Sequence, residues 1–273
     1  MTFYEQLRTA WSTSKSLLCI GIDPDINRLP KALANHPQAY LAFSKSIIDQ
    51  VAPYACAFKF QFAHFASQGK EEELFLSIQY VKENHPDKLV ILDAKRGDIG
   101  STADHYQKEC FERYQADAVT LNPYLGDDSV MPFAQRRDKG CIYLCRTSNT
   151  GAGDIQDLVL AGNEEQKLYE YIANEVVTRW NQQNAMLVMG ATEPEAIKNI
   201  RQKFPEIPLL VPGVGTQGGS VNSVLAAGLT TQGDGVLIST SRAVIYASDP
   251  AITAKKLNQE INDQRKLKDH QHG

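Results

Sequence analysis

The sequence predicts an α/β chain folded as a single closed (β/α)8 TIM barrel, and three observations carry the prediction. Apolar runs of strand length recur along the chain, stretches with helical spacing separate them, and polar residues follow the strand ends. The runs are 17–22, 55–60, 89–92, 118–121, 141–145, 185–189, 208–211 and 235–238. Eight short, uniformly apolar strands are what one closed parallel barrel requires, since its sheet is covered on both faces. Strand count alone leaves an open doubly wound sheet as the alternative. The phosphate features of the seventh and eighth loops, described below, favour closure.

Between the runs, apolar residues fall at helical intervals. Tyr40, Phe43, Ile47 and Val51 form one stripe, and Leu74, Ile78 and Val81 another. Leu168, Ile172 and Val176 form a third, and Ile197, Ile200 and Phe204 a fourth. Thr192-Glu193-Pro194-Glu195 reads as a capping box with an early proline at the fourth. A helix carrying Phe3, Leu7 and Trp11 precedes the first strand and is expected to plug the bottom of the barrel. The barrel domain is placed at residues 1–262, with 263–273 as a polar tail whose His270 and His272 are not read as a metal site.

Size and composition agree. A chain of 273 residues suits one barrel domain, whose usual length is about 250. The net charge of −4 provides no basic field for nucleic acid. The longest apolar runs are too short for a membrane span. Residues 1–10 lack the apolar core of a secretion signal, so the chain is read as cytoplasmic. The five cysteines are odd in number, and Cys141 and Cys145 have no nearby Cys or His pair to complete a zinc set. They read as reduced core thiols.

The densest chemistry lies at 89–102. Four apolar residues lead directly into Asp93-Ala94-Lys95-Arg96-Gly97-Asp98. Residues two apart on a strand point the same way with backbones about 7 Å apart. Asp93 and Lys95 therefore project together at the strand's carboxyl end, and Asp98 follows a turn at Gly97. An isolated Asp-x-Lys would be an ordinary ion pair. Here further polar residues meet the same rim: Asp23 after the first strand, Lys59 on the second, Asn122 after the fourth, 146–149 after the fifth, 212–219 after the seventh and Ser241-Arg242 after the eighth. Barrel active sites collect on that face.

The seventh loop matches G-x-G-x-x-G through Gly213, Gly215 and Gly218. A dinucleotide fingerprint belongs in an amino-terminal βαβ unit with an acid ending the next strand. Here the loop lies late in the chain and Asp234 precedes the next strand. Bare amides at a helix start still suit a phosphate, and Arg242 adds a charged clamp. A phosphorylated ligand is therefore favoured over a dinucleotide. The fifth loop, from Arg146 to about Gly162, exceeds the usual length of about 2–6 residues. Its Thr147-Ser148-Asn149 reads as part of a mobile cover able to recognise a polar ring.

With these segments on the page, the chain resembles the orotidine 5′-phosphate decarboxylase family, in its mycobacterial-like bacterial subfamily. The carrying residues are Asp93 to Thr102, Arg146-Thr147-Ser148-Asn149, Pro212 to Gly219 and Ser241-Arg242-Ala243, with Gly21-Ile22-Asp23 and Phe58-Lys59 in order before them. The resemblance covers about residues 15–250. It implies a homodimeric barrel that converts orotidine 5′-monophosphate to UMP and carbon dioxide without metal or cofactor. It also implies Lys95 as proton donor, Asp93 against the substrate carboxylate, and Asp98 and Thr102 reaching in from a partner subunit. Asp23 and Lys59 would bind ribose hydroxyls, Ser148 the pyrimidine, and Gln217 and Arg242 the phosphate. Pro212 and Gly218 join the substrate-binding set. Two rivals share the residues: a magnesium-dependent decarboxylase of an acyclic 3-keto sugar phosphate, and a silent phosphate-ligand binder. Activity that survives EDTA rejects the first, and UMP formation rejects the second.

Overall fold

The computed structural model describes residues 1–33, 35–162, 166–214 and 218–269. Its strands are β1 (Leu18–Ile22), β2 (Ala57–Gln61), β3 (Leu89–Arg96), β4 (Ala118–Leu121), β5 (Gly140–Arg146), β6 (Ala185–Met189), β7 (Leu209–Pro212) and β8 (Val236–Thr240). Each pairs in parallel with its neighbour, and β8 returns to β1 through Leu18↔Ile238 and Ile20↔Thr240, which closes the barrel. The open-sheet alternative is thereby rejected. Almost every strand residue is buried, because barrel interior and surrounding helices cover both faces.

The helices in order are α1 (Phe3–Ser14), α2 (Ala39–Val51), α3 (Phe62–Ala66), α4 (Glu71–Asn84), α5 (Gly100–Lys108), α6 (Asp127–Ala134), α7 (Gly153–Gln156), α8 (Leu168–Glu175), α9 (Pro194–Lys203), α10 (Val221–Gly228), α11 (Arg242–Ile245) and α12 (Pro250–Asp269). The expected stripes of α2 and α4 face the core. Of the stripe expected at α8, Val176, in the turn just past the helix, packs inward, whereas its other two members give way to their neighbours. Tyr169, Ala173, Val176 and Trp180 are buried, whereas Leu168 and Ile172 border a surface groove beside Tyr124. Both sets satisfy a 3.6-residue period, and the set carrying the large rings is the one that packs inward. The capping box expected at α9 is absent. The helix starts at Pro194 after Glu193, with no side-chain cap. The Glu193 carboxylate instead lies 3.4 Å from Arg146.

Helix α1 begins with a capping box of Thr2 and Glu5 and ends at Lys15 in the left-handed conformation. Its Phe3 is fully buried against the start of β5. A Cβ on Gly140 would lie 2.5 Å from the Phe3 ring, so glycine is required there. The Tyr4 hydroxyl donates to the Ala185 carbonyl at the start of β6. The helix thus seals the amino-terminal mouth of the barrel. Nearby, buried Arg201 donates to the carbonyls of Pro205, Ile207, Gly228 and Gly235, tying α9 and α10 to the starts of β7 and β8. Burial pushes its guanidinium down to about 10.

The boundary expected at residue 262 needs correction. Helix α12 passes it unbroken, and Arg265 donates to the Gly233 carbonyl at 2.7 Å and to Asn262 Oδ1 at 3.0 Å. Its polar composition belongs to the outer face of a docked helix. His270 and His272 lie outside the described residues. All five cysteines are buried and free of disulfides. Among the described residues no helix is long and apolar enough to cross a membrane.

If α1 is a structural plug, Phe3→Ala removes a core ring and lowers stability by about 3–5 kcal/mol. Urea unfolding measures this, and the folded fraction should keep its wild-type turnover. A loss below about 1 kcal/mol would show that the ring is not part of the core.

Candidate active site

The carboxyl ends of the strands surround a cleft of about 540 Å³. Asp23, Lys59, Asp93, Lys95, Ser148, Pro212 and Arg242 all border it. Six strand-end segments separated by up to 219 residues in sequence thus meet on one rim, because parallel strands all present their carboxyl ends on the same side.

At its centre lies a charged array. Lys59 Nζ donates to Asp93 Oδ2 at 2.9 Å, and Lys95 Nζ donates to Asp93 Oδ1 at 2.6 Å. Asp23 Oδ1 stands 4.0 Å from Lys59 Nζ. The β2–β3 register pairs Gln61 with Asp93 and Lys59 with Ile91, so Lys59 and Asp93 share the inward face. Lys95 meets Asp93 in a less regular way than strand alternation predicts. Its φ is 46°, in the left-handed region, and the β3–β4 pairing shifts register between Leu92 and Arg96.

Burial by itself would raise the Asp93 carboxyl, but the Lys59 and Lys95 ammonium groups outweigh it and hold the acid well below the usual carboxylate range. Burial likewise opposes the Lys59 charge, and Asp93 with Asp23 outweighs it, holding the ammonium above its usual range. Asp93 and Lys59 therefore stay ionised throughout the neutral range.

The fifth loop is folded back upon itself. Arg146 makes a two-pronged contact with Asp157, at 3.2 and 2.9 Å. The Thr147 amide donates to Gln156 Oε1 at 2.8 Å. These contacts bracket Ser148 and Asn149 and bring them to the cleft. A Cβ on Gly190 would approach the Ser148 backbone to 2.7 Å, so only glycine lets β6's exit pass so close. The segment expected to be an irregular cover thus contains a 3-10 turn at Thr150–Ala152 and the short helix α7.

Four of the described sequence candidates stand apart from the cleft. Asp98 is half-buried and uses Oδ1 to accept the Ile99 amide, while Thr102 on α5 is exposed; neither borders the cleft. Their segment is braced by Arg96, which pairs with Glu109 and lies between the Phe62 and Tyr106 rings, 4.5 Å from each. Asn122 accepts the Tyr124 amide and borders the neighbouring groove instead. Gly218 has φ 86° and does not line the cleft; Gln217 lies outside the described residues. Arg242 opens α11 with its side chain exposed at the cleft edge.

Sequence reasoning missed Thr120 and Gln61. Thr120 Oγ1 donates to Asp93 Oδ1 at 2.8 Å, and Gln61 Nε2 donates to the Asp93 carbonyl at 3.2 Å. The available signal for Thr120 was a single polar residue inside the apolar run 118–121. Among the described residues, Asp23 Oδ1 and Ser241 Oγ are buried polar atoms without a hydrogen-bond partner, and both belong to residues lining this cleft.

The linkage has a defined sign. A carboxyl lowered in the folded state stabilises fully above its unfolded value of 3.8 and loses that contribution as pH falls through the folded value. Wild type should exceed Asp93→Asn in unfolding free energy by a constant margin from about pH 5 to pH 8, narrowing only in stronger acid. Urea titrations at a series of pH values measure it. A margin that changes across the neutral range would disprove the assigned ionisation.

The geometry agrees with what is known of similar chains. The profile of the Orotidine 5′-phosphate decarboxylase / HUMPS family matches residues 16–257. A protein named orotidine 5′-phosphate decarboxylase from Cellvibrio japonicus is 50% identical over 273 aligned residues, covering 96% of this chain and 98% of that protein. One of the same name from Ralstonia nicotianae is 48% identical, covering 97% and 98%. The structure of Leishmania donovani OMP decarboxylase superimposes with a TM-score of 0.86 at 38% identity, covering 97% of this chain and 99% of that one. The charged array on the rim of a closed barrel, together with these likenesses, leads to one conclusion: the chain belongs to the orotidine 5′-phosphate decarboxylase family.

Proposed function

We propose that this cleft converts orotidine 5′-monophosphate to UMP and carbon dioxide, the last step of de novo pyrimidine nucleotide synthesis, with Lys95 delivering the proton to C6. The observation that carries the reading is the Lys59–Asp93–Lys95 array on the same rim as Arg242. Breaking the bond between C6 and the carboxylate leaves a carbanion that no adjacent carbonyl delocalises. A fixed ammonium at Lys95 favours that developing charge and then protonates the same carbon. Asp93 keeps the ammonium aimed.

Asp93 also faces the position of the substrate carboxylate in this reading. Two such charges 4 Å apart repel by about 4 kcal/mol at an effective dielectric near 20. Enzymes lower barriers by roughly 8–23 kcal/mol, so repulsion accounts for the smaller part and transition-state electrostatics for the larger. Asp23 and Lys59 hold the ribose hydroxyls in this arrangement, Ser148 the pyrimidine, and Gln217 and Arg242 the phosphate, with Pro212 and Gly218 in the substrate-binding set. Binding energy at the phosphate draws the loops over the ring. The motif set points further, to the mycobacterial-like bacterial branch. Five free cysteines suit a reducing, cytoplasmic compartment.

The reading includes a homodimer whose partner supplies Asp98 and Thr102. Its support is the outward position of both residues and the exposed apolar side chains on that rim: Ile99 at 53%, Tyr124 at 81% and Leu125 at 49%. Apolar groups of this size in one region suit a subunit contact.

Loss of orotidine-phosphate absorbance as UMP forms tests the activity. Lys95→Ala should remain folded and bind UMP yet lose well over the roughly 10²–10⁴-fold supplied by a positioned acid alone, because the carbanion's counter-charge goes as well. A variant keeping a tenth of wild-type kcat would exclude Lys95 as the donor. For the dimer, Lys95→Ala mixed with Asp98→Ala should regain activity. A hybrid carries both lesions in one site and none in the other, so random exchange leaves about a quarter of all sites intact. Mixtures no more active than the sum of the separate mutants would overturn the shared site.

A further inference from the structure

Thr120 is buried on the inner face of β4 and is engaged from two sides. The Lys95 backbone N–H donates to Thr120 Oγ1 at 3.0 Å, and Thr120 Oγ1 in turn donates to Asp93 Oδ1 at 2.8 Å. The β3–β4 register explains why a side chain performs this work. Leu92 pairs with Val119 and Arg96 with Leu121, so Asp93, Ala94 and Lys95 stand opposite the single residue Thr120. A bulge of this kind interrupts the backbone ladder and re-aims side chains. Here the hydroxyl takes the amide that the ladder would otherwise engage.

The same segment contains a left-handed residue of the cleft. Lys95 has φ 46°, a conformation that a residue with a Cβ keeps only where its surroundings hold it. Thr120 grips Lys95 at both ends, the backbone directly and the ammonium through Asp93, whose Oδ1 also accepts Lys95 Nζ. With Lys59 on Oδ2, three donors leave the Asp93 carboxylate little freedom to rotate.

We propose that Thr120 is a positioning residue for the decarboxylation, its hydroxyl holding the bulged Asp93–Lys95 segment in the geometry that aims the Lys95 ammonium at C6. The inference rests on Lys95 being the proton donor. Thr120 itself does not exchange protons with the substrate; it acts through Lys95 and Asp93.

The test compares Thr120→Val, which keeps the shape and loses the hydroxyl, with Thr120→Ser, which keeps the hydroxyl. Thr120→Val should lower kcat by about 10- to 100-fold, the range for hydrogen bonds to charged groups. Its KM for orotidine 5′-monophosphate and its affinity for UMP should stay within about threefold of wild type, the pattern of an interaction lost only in the transition state. Thr120→Ser should recover kcat to within about threefold. Wild-type turnover in Thr120→Val, equal losses in both variants, or a raised KM with unchanged kcat would overturn the proposal. Circular dichroism and the unfolding midpoint establish that each variant is folded. If Thr120→Val does not fold, Thr120→Cys, whose thiol is a weak donor and acceptor, takes its place in the comparison. Lys95→Ala assayed alongside separates the two ideas: activity retained there rejects the donor, whereas an inactive Lys95→Ala beside a fully active Thr120→Val rejects only the positioning role.

Discussion

The ionised Asp93 carboxylate, held between the Lys59 and Lys95 ammonium groups at 2.9 and 2.6 Å, is the interaction around which the rim is organised. Asp93 and Lys59 are buried, whereas the Lys95 side chain is about half exposed. Removing one partner of a buried pair typically costs about 3–5 kcal/mol, because the other is left uncompensated. For Lys59 and Asp93, mutual attraction offsets the desolvation only if β2 and β3 hold their side chains at fixed separation, which the parallel register does. The barrel thus serves the chemistry by keeping three charges together that an open loop would let drift apart.

The two ends of the barrel divide stability from function. At the amino-terminal mouth, Phe3 fills the space over Gly140 and Arg201 gathers four carbonyls of neighbouring segments, so that end is closed by packing and satisfied hydrogen bonds. At the carboxyl end the chain accepts local costs. Lys95 is left-handed, two ladders shift register, and Asp23 and Ser241 carry unpaired buried atoms among the described residues. Costs of the same kind occur at the amino end, where Lys15, Gln115 and Gln183 are left-handed and Trp11 Nε1 is an unpaired buried atom among the described residues; those of the carboxyl rim differ in that Lys95, Asp23 and Ser241 border the cleft.

Loop five illustrates how a long connection becomes a defined wall. Arg146 spans from Asp157 to Glu193 and so ties its own loop to the loop after β6. The helix after β6 begins one residue later than the expected Thr192–Glu195 box, with Glu193 at the cap position and its carboxylate turned to Arg146.

By itself, the sequence determined the barrel class, the eight strands to within four residues at either end, most helical faces, and the residues Asp23, Lys59, Asp93, Lys95, Ser148, Pro212 and Arg242 that come to border one cleft. These were legible because strand periodicity and the charge of a side chain after an apolar run are local properties. Tertiary structure alone decided closure of β8 on β1, the inward packing of Tyr169 and Ala173 on α8, the docking of α12 past residue 262 and the left-handed Lys95. It also decided the part taken by Thr120, a lone hydroxyl in an apolar strand whose partners lie on the neighbouring strand at a register shift. Register, handedness of one residue and hydrogen-bond partnership depend on which segments become neighbours, and that follows from packing the whole chain.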